Sequence, residues 1–127
     1  MISHKLNFIF IHIPKTSGNS LSLFLKDLID NIVIIRANNM GEKQGISILC
    51  EKTREDIKHR GIKYYKNTYG KKINDYFKFT IVRNPYDRIL SHYFFSKGKN
   101  NQVFNRKEFI HFIKNKNCFQ HEYIDNT

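Results

Sequence analysis

The stretch Asn7–Leu21, NFIFIHIPKTSGNSL, decides the fold of this chain. Its first half, Asn7–Ile13, is a short apolar run rich in Ile and Phe, which predicts a buried strand. Pro14 ends the run, and Lys15–Ser20 then form a loop of small hydrogen-bonding residues with one cation. Apolar residues at helical spacing follow from Asn19 onward. A strand, a small-residue loop and a helix N-terminus together predict a site for a phosphate-like anion.

The length and composition of the chain favour one globular domain. A chain of 127 residues is long enough for a modest core but not for two domains, so we expect a single domain over residues 1–127. No apolar run approaches the roughly 20 residues of a membrane span, and Met1 leads into the first strand without room for a secretory signal. We therefore expect a cytoplasmic protein without a membrane anchor. Cys50 and Cys118 lack metal-ligand partners at useful spacing, so we expect neither a metal site nor a disulfide framework.

The chain is strongly basic, with 22 basic and 11 acidic residues and a formal net charge of +11. Such an excess favours an anionic partner, for example nucleic acid, a phosphorylated cofactor or an acidic glycan. The lysines are scattered, however, and Lys and Asn are abundant throughout, as an AT-biased genome would also produce. The net charge therefore supports an anionic ligand without selecting one.

Strands are predicted to alternate with helices along the chain. Ile32–Arg36 and Ile46–Cys50 are short apolar runs that predict strands, and residues 37–45 between them predict a loop. Thr53 is the expected N-cap of a weakly patterned helix that Gly61 would stop or kink. This alternation predicts an α/β fold, with a mainly parallel sheet flanked by helices and with ligands at the carboxyl ends of the strands.

A second strand–loop–helix corner follows. Tyr76–Val82 (YFKFTIV) predicts a strand, and Asn84 suits the N-cap of the helix after it, with Pro85 at the first helical position. That helix is expected to run to about Ser96. A last helix is predicted over Arg106–Asn115, where a capping-box pattern precedes an amphipathic stretch.

Arg83 lies at the end of the second predicted strand, and Ser91 lies on the helix that follows. An Arg side chain can hold a phosphate bidentately, and a helix hydroxyl can complete the site. The alternative is a structural ion pair between Arg83 and Asp87. The loop around Lys15 lacks the GxxxxGK[ST] spacing of nucleoside-triphosphate hydrolases, so that class is disfavoured. Two cationic corners instead suggest a ligand with two separated anionic groups.

The segment IHIPKTSGNSL followed by YFKFTIVRNPYDRILSHY resembles the paired signatures of the sulfotransferases that use 3′-phosphoadenosine 5′-phosphosulfate (PAPS). The closest branch is that of the carbohydrate sulfotransferases related to heparan 2-O- and chondroitin-type enzymes. Both signatures stand in the right order, over about residues 7–27 and 56–96. The resemblance implies a P-loop-like sulfotransferase fold. It also implies transfer of a sulfuryl group from PAPS to a hydroxyl of a carbohydrate or similar acceptor, with PAP as the product and no metal.

The resemblance also implies roles for both corners. The loop after the first strand would grip the 5′-phosphosulfate, and Lys15 would stabilise charge on the departing phosphate. Arg83 would hold the 3′-phosphate. The family usually has Gly or Ala where Ser17 stands and Thr where Asn19 stands. The residues that the resemblance implies for binding the cofactor are Lys15, Thr16, Ser17, Gly18, Asn19, Ser20, Arg83 and Ser91.

The acceptor hydroxyl must lose a proton, which a His or Glu normally takes. His59 lies about where related enzymes place their His base, so we predict it as the catalytic base beside Lys15; the alternative is a solvated surface His. The other two candidate histidines are His12, expected to be a packing or loop-supporting residue within the first strand, and His92, expected to face away from the phosphate. Glu55 and Asp56 are the remaining candidates for the base.

The chain ends at Thr127, where the family usually continues with a late helix and part of the acceptor pocket. We therefore expect a truncated or minimal member, and three functions stay open: a PAPS-dependent sulfotransferase, a relative that binds the nucleotide without turnover, and a basic polyanion binder. Nucleic acid is disfavoured because no recognition motif is present. The expected acceptor is a glycan, and neither its identity nor the oligomeric state follows from the sequence.

Overall fold

The computed structural model describes residues 1–37, 39–41, 43–98, 102–115 and 119–125, so Cys118 lies outside the described residues. The strands are β1 (Ile2–Ser3), β2 (Phe8–Ile11), β3 (Ile32–Ala37), β4 (Lys43–Leu49) and β5 (Phe77–Thr80). The helices are α1 (Gly18–Leu25), α2 (Ile62–Tyr69), α3 (Pro85–Lys97) and α4 (Arg106–Asn115), with short 3₁₀ helices at Gly70–Ile73 and Gln120–Tyr123. None of these described helices is both long and apolar enough to cross a membrane.

A three-stranded sheet in the order β1-β2-β5 forms the centre of a mixed α/β fold. β2 and β5 run parallel, with Phe10 opposite Phe79, whereas β1 pairs antiparallel with β2. β3 and β4 form a separate antiparallel pair. The prediction of a mixture of strands and helices is confirmed, but the prediction of a mainly parallel sheet is wrong.

The short connection between β3 and β4 explains the difference. Antiparallel strands can be joined by a few residues, whereas parallel strands need a crossover of roughly a dozen or more. β4 begins at Lys43, inside the segment predicted as a loop, soon after β3 ends at Ala37. Between them Gly41 has φ 78°, a left-handed conformation that glycine adopts at little cost. The apolar pattern therefore identified both strands but not their relative direction.

The segment after β4 folds back on that strand, and the helix predicted from Thr53 is absent from the described residues there. The backbone N–H of Ile57 donates to the carbonyl of Ile48 at 2.8 Å, which ties the segment to β4. α2 begins directly after Gly61, so this glycine precedes a helix and does not end one. A Cβ added at Gly61 would lie 2.9 Å from the Tyr123 carbonyl oxygen, so the close approach of that backbone requires glycine.

The core joins the three-stranded sheet to β4 and α2. Its fully buried apolar side chains include Ile9, Phe10, Ile48, Tyr65 and Ile73. Because β2 and β5 are parallel, their carboxyl ends at Ile11 and Thr80 lie at the same edge. The Thr80 hydroxyl donates to the Ile11 carbonyl at 2.6 Å, which fixes the two ends together. The loops that follow the two strands therefore leave the sheet side by side.

The two last helices begin where their capping signals predict. The Asn84 side-chain oxygen accepts a hydrogen bond from Tyr86 N at 3.0 Å, and Pro85 is the first residue of α3. The Asn105 side chain caps the first turn of α4 in the same way. Tyr93 of α3 is buried against α4, and its hydroxyl contacts the Asn105 carbonyl at 3.3 Å. α3 is thus held at its first turn by the Asn84 cap and against α4 by Tyr93, which fixes the position of Ser91 between them.

Candidate active site

A cleft of about 520 Å³ opens where β2 and β5 end. Its walls come from the loop after β2, the first turn of α1, the segment before α2, and α3. The cleft brings together every predicted site residue except Thr16, namely Lys15, Ser17, Gly18, Asn19, Ser20, His59, Arg83 and Ser91.

Thr16 is buried, and its side chain is used within the loop itself. The Thr16 hydroxyl donates to the Ile13 carbonyl at 2.8 Å, so it does not line the cleft. The loop is held in an unusual backbone conformation on either side of it, because Lys15 has φ 66° and Ser17 has φ 64°. Left-handed residues other than glycine cost roughly 1–2 kcal/mol each, and such strain is concentrated at functional sites. The loop is therefore shaped at some cost to stability.

The cleft is cationic. Lys15, Lys58 and Arg83 line it, and no carboxylate is found among its described lining residues. Burial lowers the pKa of the Lys15 ammonium, and the neighbouring Arg83 lowers it further. Burial also lowers the pKa of Lys58, with Lys15 adding to the effect and Asp56 opposing it. The Lys15 Nζ lies 4.2 Å from the centre of the Phe95 ring. Cations that are partly desolvated and repel one another are stabilised by a bound anion.

Two arginines connect the corners across the cleft. Arg83 Nη1 donates to the Lys15 carbonyl at 3.4 Å, and Arg88 Nε donates to the Pro14 carbonyl at 2.9 Å. In the part of the chain that the structure describes, no ion pair joins Arg83 to Asp87, the alternative partner considered from the sequence. Arg88 is buried, so its bond to the loop is shielded from water. The Arg83 guanidinium is exposed and lines the cleft.

Two histidine rings meet at one wall of the cleft. His59 Nδ1 lies 3.2 Å from the His12 carbonyl oxygen, and the two ring centres are 4.7 Å apart. A carbonyl can only accept, so Nδ1 of His59 carries the proton and Nε2 keeps its lone pair. Burial lowers the pKa of His59, and the hydrogen bond to the His12 carbonyl opposes that shift. His12 is almost completely buried, which lowers its pKa to about 3.

A model of the Sulfotransferase family matches residues 1–125, nearly the whole chain. The chain belongs to the sulfotransferase family. Searches of curated proteins and of solved structures found no match. The resemblance in the two signatures is thus confirmed at the level of the family, and membership supports a transferase that moves sulfuryl groups. The roles of individual residues in this sulfotransferase stay predictions.

The two carboxylates considered as the base of the sulfotransferase, Glu55 and Asp56, are not among the described residues that line the cleft. Glu55 interacts with the Thr53 hydroxyl at 3.4 Å, and the Asp56 carboxylate accepts from Lys58 N at 3.0 Å. Asp56 instead lines a second depression of about 370 Å³ together with Lys58, His59 and Arg60. This depression shares Lys58 and His59 with the cleft.

Five residues that line the sulfotransferase cleft were not predicted from the sequence as site residues, namely His12, Pro14, Lys58, His92 and Phe95. His92 was expected to face away, but it lines the cleft, with its ring centre 5.4 Å from that of Phe112. Lys58 carried a weak signal, since it directly precedes the predicted base. Phe95 follows Ser91 by one helical turn and therefore lies on the same face of α3. That spacing could have identified Phe95.

Proposed function

We propose that this chain transfers a sulfuryl group from PAPS to a hydroxyl of a carbohydrate or similar acceptor. The observation that carries the proposal is the composition of the cleft, in which three cations and a strained small-residue loop meet without a carboxylate among the described lining residues. A donor with an anionic group at each end fits two cationic corners at one sheet edge. Sulfotransferases generally use PAPS, which supports this donor.

The loop Lys15–Ser20 is proposed to bind the phosphosulfate end of the donor. Its backbone N–H groups lie at the start of α1, where the helix dipole favours an anion. Arg83 and Ser91 are proposed to bind the 3′-phosphate from the opposite wall. The hydrogen bond from Arg83 to the Lys15 carbonyl supports this arrangement, because it links the two binding elements. All charge neutralisation in this proposal comes from the side chains and backbone of the chain.

His59 and Lys15 are proposed to carry the chemistry. The acceptor oxygen forms a bond to sulfur while the bond between sulfur and the bridging phosphate oxygen breaks. The acceptor proton passes to His59 Nε2, whose lone pair is available because Nδ1 donates to the His12 carbonyl. The negative charge left on the departing phosphate is stabilised by the Lys15 ammonium. Positioning and electrostatics therefore supply most of the catalysis.

The test combines a transfer assay with a binding assay. Purified protein is incubated with PAPS labelled in the sulfate and a panel of polysaccharides, and PAP binding is measured by calorimetry. We expect labelled product and PAP binding, and we expect Lys15→Ala to abolish transfer. The matched control is Lys26→Ala, which removes an exposed lysine at the other end of α1.

The outcomes separate the alternative functions. PAP binding without transfer to any acceptor would identify a nucleotide-binding relative without turnover and would overturn the enzymatic proposal. Anion binding that falls steeply with salt and survives Lys15→Ala would identify a general polyanion binder, because scattered contacts would then share the affinity. If the protein shows no PAP binding and no sulfate transfer, the proposed function is wrong.

A further inference from the structure

We propose that His12 is a positioning residue that couples the anion-binding loop to the catalytic base, by contacting Gly18 with its ring and His59 with its carbonyl oxygen. The inference rests on the proposed function, because it concerns the same cleft. His12 belongs to the segment between β2 and the loop, where the sequence predicts a packing or loop-supporting residue but no link to the base.

The contact with Gly18 is unusually close. A Cβ added at Gly18 would lie 2.1 Å from Cδ2 and 2.2 Å from Nε2 of the His12 ring. The edge of the imidazole therefore fills the space that any side chain at position 18 would need. Gly18 is the first residue of α1 and lines the cleft, so the ring supports the turn that is proposed to bind the phosphosulfate. A displaced ring would displace that turn.

The contact with His59 fixes the base. The His12 carbonyl accepts from His59 Nδ1 at 3.2 Å, and the two rings meet edge-on with 4.7 Å between their centres. The Phe10 ring stacks against His12 with 6.0 Å between the centres. His12 is thus held between the core, the loop and the base. Its position sets the distance from the base to the loop.

The polarity of the His12 ring gives an independent reason to look beyond packing. Only 3% of the residue is exposed, and Nδ1 is buried without a hydrogen-bond partner among the described residues. A buried polar atom without a partner is unfavourable, so an apolar side chain would serve simple packing better. An imidazole at this position is explained by a contribution to the site that it joins.

The test measures the tautomer of His59 and the coupling between positions 12 and 18. Long-range ¹⁵N–¹H NMR spectra report which ring nitrogen of His59 carries the proton. We expect the proton on Nδ1 in the unmodified chain. His12→Ala keeps the backbone carbonyl that accepts from Nδ1 but removes the ring that packs edge-on against His59, so we expect a looser hydrogen bond and a mixture of tautomers. The control variant His92→Ala removes another cleft histidine and should leave the His59 spectrum unchanged.

Calorimetry with PAP supplies the second measurement. Gly18→Ala should weaken PAP binding about 10-fold or more, because the new Cβ displaces the His12 ring. In the His12→Ala background the same change should weaken binding less than threefold, because the space is then free. If His12→Ala does not fold, the His59 spectrum of Gly18→Ala still tests the inference, since a displaced ring should give mixed tautomers.

The proposal is overturned if unmodified His59 carries its proton on Nε2, or if the two substitutions act independently on PAP binding. These measurements need no turnover. Coupling without any sulfate transfer would therefore support the positioning role while the proposed enzymatic function fails. Sulfate transfer together with independent effects at positions 12 and 18 would support the enzymatic function and overturn the positioning role.

Discussion

The side chain of Gln120 is bonded at both ends of its amide to the backbone of Arg83. Its Oε1 accepts from Arg83 N at 3.0 Å, and its Nε2 donates to the Arg83 carbonyl at 2.8 Å. A neighbouring strand would make the same pair of bonds, so Gln120 extends the pairing just beyond the end of β5. A residue close to the end of the described chain thereby fixes the arginine that is proposed to hold the 3′-phosphate.

Replacing Gln120 should loosen this corner. In Gln120→Ala the exposed backbone groups of Arg83 bond to water, so each lost bond costs only about 0.5–1.5 kcal/mol. We expect PAP affinity to fall roughly 3- to 10-fold by calorimetry at fixed salt. The control Gln102→Ala removes an exposed amide that bonds to the Gly98 carbonyl, and it should leave affinity unchanged. Equal affinities for the Gln120 variant and the unmodified chain would contradict the prediction.

Arg83→Lys tests whether the 3′-phosphate is recognised bidentately. Lysine keeps the charge but lacks the planar fork, so we expect about a 10-fold loss of PAP affinity. Adenosine 5′-phosphosulfate lacks the 3′-phosphate, and its affinity should change little. The control Arg36→Lys alters an exposed arginine of β3 and should affect neither ligand. A similar loss for both nucleotides would show that Arg83 does not distinguish the 3′-phosphate.

The pH dependence of transfer should report His59. The proposed base must be neutral, and partial burial holds its pKa below the ordinary value of 6.5. Activity should therefore be retained at pH 7 and decline only on acidification below 6.5. His59→Ala should lower kcat by about 10²- to 10⁴-fold and remove this acidic limb. The profile is measured as kcat/KM against pH, and an unchanged limb in the variant would rule out His59 as its source.

Buried His12 should make stability depend on pH. Its pKa is about 3 in the folded chain, against an ordinary value of 6.5, so the unfolded chain binds one more proton between these values. The free energy of unfolding should fall by about 1.4 kcal/mol per pH unit as the pH drops below 6.5. His12→Gln lacks this contribution. Urea unfolding at pH 7, 6 and 5 should show unmodified protein losing stability faster than the variant; parallel profiles would disprove the assignment.

Ser17→Gly should relieve the strain in the anion loop. Ser17 has φ 64°, a conformation that costs glycine little, so we expect the variant to be more stable by up to about 1 kcal/mol. Ser20→Gly is the matched control, since Ser20 lies inside α1, where glycine should destabilise the helix relative to serine by roughly 0.5 kcal/mol or less. Urea unfolding compares them. Loss of stability in both variants would mean that Ser17 is not strained.

The two corners were predictable because their signals are local. Asn84 and Pro85 start α3 through contacts within one turn, and the apolar runs of β2 and β5 are bounded by clear stop signals. The segment around Thr53 was not predictable, because backbone bonds to β4 override a weak local helix pattern. The direction of β3 and β4 depends on how few residues separate them, and an apolar pattern does not encode that direction.

In the candidate site, too, residues with local sequence signals were predictable and contacts between distant residues were not. The sequence predicted Lys15 and Arg83 from the two signatures and His59 from its position before the second one, and all three line the cleft. It offered a packing or loop-supporting role for His12 but not the proposed link to the base, because that link arises from contacts with Gly18 and with a histidine 47 positions away. Such contacts exist only after folding. Sequence patterns therefore predicted the residues that line the cleft better than the contacts that position them.

The overlap between a Cβ at position 18 and the ring of His12 also constrains how the two positions can change during evolution. A substitution at position 18 that adds a Cβ meets the imidazole edge at 2.1 Å unless position 12 has already become smaller. The order of changes therefore matters: a smaller residue at position 12 opens the path, whereas a change at position 18 alone is selected against. Among related chains, a residue other than glycine at 18 should therefore occur only together with a residue smaller than histidine at 12.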